Sequence, residues 1–237
     1  MSTVVAVMDR PGWESNTDVI VVVRPERREL LWVPRDLWSE RLRRRTGEAF
    51  AAGGHDALLT ALGEAGIPVE HGLCVARETA EAIVDRLELV VPVAEPLRYW
   101  YPLVPKARIE DGRKLVSFDP PSERLSGERL HQWLGARYAV GRPSGDLERI
   151  GRQQVALREA LRAGVRLGDG AEGIEASAAG AYDDLAQVGH DWRFDTFTRF
   201  APATVRGKKV LVRRRFRGPL GRLELRRRVA GSGGTLD

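Results

Sequence analysis

Two short runs of β-branched residues set the first limit on what this chain can fold into. Val4 to Met8 reads Val-Val-Ala-Val-Met, and Asp18 to Val23 reads Asp-Val-Ile-Val-Val-Val. Each is too short and too rich in valine for a helix. Neither alternates apolar with polar, so both are expected as strands buried on two faces, the pattern of a parallel sheet. The first run stops at Asp9 and the second starts at Asp18, which puts both aspartates at strand ends. Arg10 to Asn16 between them is loop chemistry, and Arg24-Pro25-Glu26-Arg27 turns the chain into a third strand, Glu29 to Val33.

Helical and extended patterns then alternate. Arg35 to Arg45 is charged and reads as a helix, Gly53-Gly54 breaks the chain before a helix over His55 to Ala65, and Gly66-Ile67-Pro68 stops it. Leu73 to Ala76 reads as a strand, Glu78 to Arg86 as a helix, and Leu87 to Val93 as a strand that Pro92 sends to a sheet edge. Ala94 to Pro121 reads as irregular, with one strand at Lys114 to Phe118; its Tyr99, Trp100 and Tyr101 either line a crevice or pack on their own domain. Helices are expected from Glu128 to Gly135, from Asp146 to Ala163 and from Ala181 to Val188, with Gly168 to Gly180 as a linker. Val210 to Phe216 is expected to pair with Leu220 to Arg227 around Gly218-Pro219. Strand and helix in alternation argue for an α/β fold.

With 237 residues and 43% apolar content, the chain can bury a sizeable core. The single cysteine, Cys74, excludes an internal disulfide framework, sits in an apolar run and reads as buried; four scattered histidines offer no metal-ligand spacing. No run of about 18 apolar residues or secretory leader is visible, so the chain as given is expected to be soluble and untargeted, which leaves its compartment open. Net charge is +5, but Arg193 to Arg228 holds thirteen basic residues against Asp195 and Glu224, so the basic character is local to the C-terminus. That segment could meet an anionic membrane surface or form a charge-guarded edge; no recognised nucleic-acid motif accompanies it.

The densest polar pattern lies at Asp146 to Gln153. At about 100° per residue, Asp146, Arg149 and Gln153 share one helix face, beside the apolar stripe of Ile150, Leu157 and Leu161. A carboxylate, a guanidinium and an amide at the border of a core make a candidate anion site.

Several ordered motifs together resemble the LytR-CpsA-Psr (LCP) family of cell-wall glycopolymer transferases. Thr17-Asp18-Val19-Ile20 is similar to its Ser-Asp-Thr-Ile, Val33-Pro34-Arg35-Asp36 to Ile-Pro-Arg-Asp, and Ala49 to Gly54 to Ala-Tyr-Ala-x-Gly-Gly. Gly66 to His71 resembles Gly-Ile-Pro-Ile-Asp-His, and Ala136-Arg137 with Asp146-x-x-Arg149-x-x-Arg152-Gln153-Gln154 resembles the closing signature.

The resemblance implies an α/β/α sandwich, a mixed central sheet flanked by helices, here with a basic C-terminal β-hairpin. The expected division is an LCP-like domain over 1–165, a linker and helix over 166–190, and a basic extension with a flexible tail over 191–237. It implies a magnesium-dependent phosphotransferase, with a pyrophosphatase side activity. Such an enzyme moves a phosphate-linked glycan from polyprenyl diphosphate to a glycan or peptidoglycan acceptor. The alternative is a catalytically weak or silent protein that binds polyprenyl-phosphate lipid as a scaffold. Arg35, Arg137, Arg149, Arg152 and Gln153 are expected to bind substrate, and Asp9 and Asp18 to hold Mg2+. Arg35, Asp36, Arg137, Asp146 and Arg149 are expected to carry the chemistry, with Asp36 and Asp146 either orienting arginines or taking the acceptor's proton.

Elementary chemistry agrees. Planar guanidinium forks clamp diphosphate oxygens bidentately and neutralise charge that develops on transfer, while hard carboxylate oxygens suit magnesium. Three departures stand out. Gly135-Ala136-Arg137 replaces Arg-x-Arg, leaving Arg142 or another residue to substitute. Arg45-Thr46-Gly47-Glu48-Ala49-Phe50 replaces Lys-Ile-Asn-Ala-Ala-Tyr, and the family's N-terminal membrane helix is not seen.

Overall fold

The structure, a computed structural model, describes residues 1–10, 15–102, 112–142, 144–166 and 173–214. The first half runs β1 (Thr3–Met8), β2 (Thr17–Arg24), β3 (Glu29–Trp32), the short β4 (Trp38–Ser39) and β5 (Arg44–Arg45), α1 (Ala49–Glu64), β6 (His71–Val75), α2 (Arg77–Leu87) and β7 (Val90–Pro92). The second half runs β8 (Leu97–Pro102), β9 (Arg113–Phe118), β10 (Ser122–Arg124), α3 (Glu128–Gly135), β11 (Tyr138–Ala139), α4 (Asp146–Arg162), β12 (Ile174–Ala176), α5 (Gly180–Ala186), β13 (Arg193–Thr196), β14 (Phe200–Val205) and β15 (Lys208–Arg213). Six strands form a mixed central sheet in the order β12-β6-β1-β2-β3-β13, the α/β architecture expected.

The two valine-rich runs are antiparallel to one another, not parallel: Val4 lies opposite Val22 and Ala6 opposite Ile20. Their two-sided apolar character comes from helices on both faces of the sheet. Ile20 and Val22 join Leu58, Ala61 and Leu62 of α1 in one core. Val21 and Val23 join Ile150 and Leu161 of α4 and Leu185 of α5 in another. Burial on both faces sets the pattern, and strand direction leaves no trace in it. A third core under the β11-β8-β9 sheet packs Tyr99, Phe118, Leu130 and Trp133.

Other expectations are corrected. Arg35 to Arg45 is not helical but folds as the β4–β5 ribbon, Trp38 opposite Arg45; Leu37 and Ser39 are buried there and the arginines reach separate partners. Gly53-Gly54 does break α1, with Gly54 at φ 60°, but a helical turn precedes the break. The segment read as irregular holds a full strand, β8, paired with β9, and β7 is an edge strand paired with β10 alone.

β12, inside the Gly168 to Gly180 stretch, adds antiparallel to β6, and β13 adds parallel to β3. The central sheet thus draws strands from each of the three expected divisions. Val210 to Arg213 pairs with the upstream Phe200 to Ala203 around Arg206 and Gly207, both at positive φ, a hairpin the sequence reading did not anticipate. That pair makes the left-handed turn a two-residue hairpin needs. The remainder of the expected hairpin, with the tail, lies outside the described residues. No helix among the described residues is long and apolar enough to cross a membrane.

Candidate functional site

Sheet topology brings the expected residues together. Because β1 and β2 are antiparallel, the end of β1 meets the start of β2, and the Asp9 N–H donates to the Asn16 carbonyl at 2.8 Å. Asp9 and Asp18 therefore lie side by side. β3 is antiparallel to β2, so its exit, where the Val33 N–H donates to the Ile20 carbonyl at 2.9 Å, delivers Arg35 to the same end. The Arg35 fork binds Asp18 and stands 3.8 Å from Asp9. Gly47 is required here: a Cβ on it would stand 2.9 Å from the Arg35 Cβ, and its N–H donates to the Arg35 carbonyl at 2.9 Å.

α4 supplies the opposite wall. Arg149, only 1% exposed, donates from Nε to Asp146 Oδ1 at 2.9 Å and from Nη1 to the Asp18 carbonyl. Its Nη1 is also 3.6 Å from Asp18 Oδ1. Gln153, one turn on, donates its amide to the Asp18 and Leu134 carbonyls at 3.2 and 3.1 Å. Arg137, just beyond α3, reaches Asp36 Oδ2 at 3.2 Å and lies 4.0 Å from Asp146. Arg35, Asp36, Arg137, Asp146, Arg149, Gln153, Asp9 and Asp18 form one cluster drawn from five segments.

Arg152 is not part of it. Its fork turns into the third core, where it donates to the Trp133 and Ala136 carbonyls and, at 2.8 Å, to the Tyr99 hydroxyl. Arg142 is held by Glu148 at 2.7 and 2.9 Å, so it does not fill the place opened at Gly135. A Cβ at Gly135 would stand 3.2 Å from Asp18 Oδ2, so the glycine leaves a notch beside that carboxylate. One cluster member was missed: Arg45 binds Asp36 Oδ1 at 3.1 Å. Its signal was present, because Arg45 stands where the resembled motif has lysine.

Crowded carboxylates shape the electrostatics. Burial, then the Asp18 charge, pushes the Asp9 carboxyl above its ordinary value against Arg35, Arg10 and Arg77. Burial, then Asp146, likewise raises Asp36 against Arg45, Arg35 and Arg149. Burial works to lower Arg35, but Asp18, Asp36, Asp146 and Asp9 outweigh it and hold it above its usual range. Tyr101, beside the Gly135 notch, is pushed up to about 12 by burial and by Asp18. Cys74 is fully buried and burial raises its thiol, so it is no nucleophile.

Two buried oxygens in the cluster, Asp9 Oδ1 and Asp146 Oδ2, have no hydrogen-bond partner. An orphaned carboxylate oxygen beside a second carboxylate suits a hard cation, and two carboxylates are what magnesium takes when phosphate and water complete its shell. No group of three or more acidic, histidine or cysteine side chains suited to a metal occurs among the described residues.

The profile of the LytR_cpsA_psr family matches residues 4–165. Comparison with curated proteins gives no match. Among solved structures, the Streptococcus agalactiae protein gbs0355 is similar with a TM-score of 0.63 at 14% identity, over 98% of this chain and 87% of that one. An Enterococcus faecalis protein described as a transcriptional regulator gives 0.62 at 13% identity, over 90% and 81%. B. subtilis TagT, solved bound to LI-WTA, gives 0.61 at 14% identity, over 98% and 90%. These likenesses concern the fold.

Proposed function

The chain belongs to the LytR-CpsA-Psr family, and we propose that it transfers a phosphate-linked glycan from a polyprenyl diphosphate carrier to a cell-wall or glycan acceptor. The observation that carries this reading is the convergence of Arg35, Arg137 and Arg149 on one end of the sheet, beside Asp9 and Asp18.

In this reading the three guanidiniums exchange carboxylate partners for diphosphate oxygens, which carry more charge in the same planar geometry. Asp9 and Asp18 would hold magnesium, which when bound would supply Lewis-acid neutralisation of phosphate charge. The acceptor hydroxyl attacks the phosphorus that bears the glycan. One acceptor O–P bond forms, the bridging P–O bond breaks, and polyprenyl monophosphate leaves. Asp36, whose raised carboxyl lies nearer neutral pH than an ordinary aspartate, takes the hydroxyl proton. Asp146 orients Arg149 from 2.8 Å, and Gln153 braces the backbone of Asp18.

One observation favours the quieter alternative, a lipid-phosphate scaffold: Gly135 leaves the clamp an arginine short, and Arg142 is engaged elsewhere. The deciding experiment incubates the full chain with a long-chain polyprenyl diphosphate and follows phosphate release and transfer with magnesium and with EDTA. Turnover that needs magnesium is expected; saturable binding with no turnover assigns the scaffold role.

A further inference from the structure

The family match ends at residue 165, yet the β14–β15 hairpin beyond it closes directly on the loop that carries Arg35 and Asp36. The Leu211 N–H donates to the Asp36 carbonyl at 2.9 Å, and Leu37 and Leu211 form a parallel bridge. Arg45 spans the two parts: one nitrogen donates to the Lys209 carbonyl at 3.0 Å while another holds Asp36 Oδ1 at 3.1 Å. Arg213 adds a third tie, donating to the Glu64 carbonyl at 3.2 Å.

The hairpin register explains why Leu211 is available. Leu211 lies opposite Pro202, which has no N–H. Alternate pairs of an antiparallel ladder exchange no hydrogen bonds, and a proline is tolerated only in such a pair. The Leu211 N–H therefore points out of the hairpin, where the Asp36 carbonyl meets it. The Leu211 side chain packs on the same core as the fully buried Leu37. A segment of main chain and one long side chain thus fix the backbone and one carboxylate oxygen of Asp36, while Arg137 fixes the other oxygen.

We propose that the hairpin Phe200 to Arg213 is a positioning element of the site, setting Asp36 through the Leu211 N–H and through Arg45 anchored on Lys209. Loss of the Leu211 tie lets the Asp36 loop move away from Arg45, and loss of Arg45 removes its charge, so either leaves the carboxylate facing Asp146 with less opposing charge. Arg35, Arg137 and Arg149 remain around it. The kinetic consequence rests on the transferase reading; the placement of Asp36 does not.

The test compares full-length Leu211→Pro, Arg45→Gln and Arg45→Lys with Val205→Ala, which weakens the turn end of the same hairpin, at Val205 opposite Lys208, and removes neither tie to Asp36. Carbon-13 NMR follows the carboxyl titration of Asp36, its resonance assigned by Asp36→Asn. The midpoint is expected to rise by about one pH unit in Leu211→Pro and Arg45→Gln, to recover in part in Arg45→Lys, and to stay put in Val205→Ala. The kcat should fall roughly tenfold in the first two, with a smaller change in KM. Equal midpoints in folded Leu211→Pro, Arg45→Gln and Val205→Ala would overturn the proposal. A parent chain without turnover would remove the transferase reading alone, because the NMR midpoint still decides the placement.

Discussion

Arg149 and Arg152 stand three residues apart on α4, 1% and 5% exposed, and the structure uses them in opposite ways. Arg152 is saturated: two backbone carbonyls and the Tyr99 hydroxyl accept from it, and its guanidinium stacks 4.4 Å from the Tyr99 ring centroid. Arg149 faces carboxylates, and its cluster keeps two buried oxygens without partners. A buried guanidinium satisfied by main chain holds a core together. One held by crowded carboxylates with orphaned oxygens is the one the transferase reading assigns to the diphosphate.

The sharpest break of that comparison is a crossed pair of substitutions. Arg149→Ala is expected to lower turnover about 10²- to 10³-fold, read as kcat/KM on the polyprenyl diphosphate, and Arg149→Lys should not restore it because a point charge cannot replace a bidentate fork. Arg152→Met is expected to cost about 3 kcal/mol of stability in urea unfolding, since it strands the carbonyls of Trp133 and Ala136 in the core, while turnover per folded molecule holds. An Arg152→Met protein with intact stability and lost turnover would erase the distinction between the two arginines.

A smaller effect tests the carboxylate side through pH. Asp9 and Asp36 are both raised in the fold, Asp9 by burial and Asp18, Asp36 by burial and Asp146. Each must be ionised to act, so activity is lost as pH falls through the raised values, and the acid limb of kcat/KM should lie above the ordinary aspartate value of about 3.9. The stability sign is opposite. The folded form binds these protons more tightly than the unfolded chain, so acidification through the raised values favours the fold. Asp9→Asn should flatten the limb and raise the magnesium concentration needed for half-maximal turnover. A limb unchanged in Asp9→Asn would detach Asp9 from the chemistry.

Much of this site was legible in the sequence because it is local or because it sits at strand ends. Asp146, Arg149 and Gln153 share a face by helix geometry alone, and Asp9 and Asp18 end their runs abruptly. What escaped was long-range. Strand direction does not alter the apolar pattern of a sheet covered on both faces, so the antiparallel β1–β2 pair read as parallel. β12 and β13 are only three and four residues long, at or below the shortest run in which period-2 alternation can be read, yet both complete the central sheet. The Arg206-Gly207 turn is carried by a positive-φ arginine, which sequence alone does not mark as a turn, so the β14–β15 hairpin escaped; the one expected around Gly218-Pro219 lies outside the described residues. Arg152 was assigned to the anion site because its motif position suggested it; at three residues from Arg149 on a helix it shares the burial but meets Trp133 and Tyr99 instead.

The finest test lies inside the Arg152 network. The Tyr99 hydroxyl accepts from Arg152 at 2.8 Å and donates to Glu148, and the ring beneath the guanidinium is fully buried. Tyr99→Phe keeps the ring and its stacking but removes the hydroxyl. Glu148 retains the Arg142 fork at 2.7 and 2.9 Å, and Arg152 retains both carbonyls, so the two hydrogen bonds of the hydroxyl disappear from a network that otherwise stands. The expected loss is about 1 kcal/mol in chemical denaturation. Burial works to raise the Glu148 carboxyl, while Arg142 and Tyr99 hold it below its usual range, so this group stabilises the fold above its unfolded value and the benefit fades as pH drops through the folded one. Without the hydroxyl, that fading should begin at higher pH, with no change in turnover. A kinetic defect in Tyr99→Phe would mean that the two arginines of α4 are coupled through the helix and that the structural cluster helps set the reactive one.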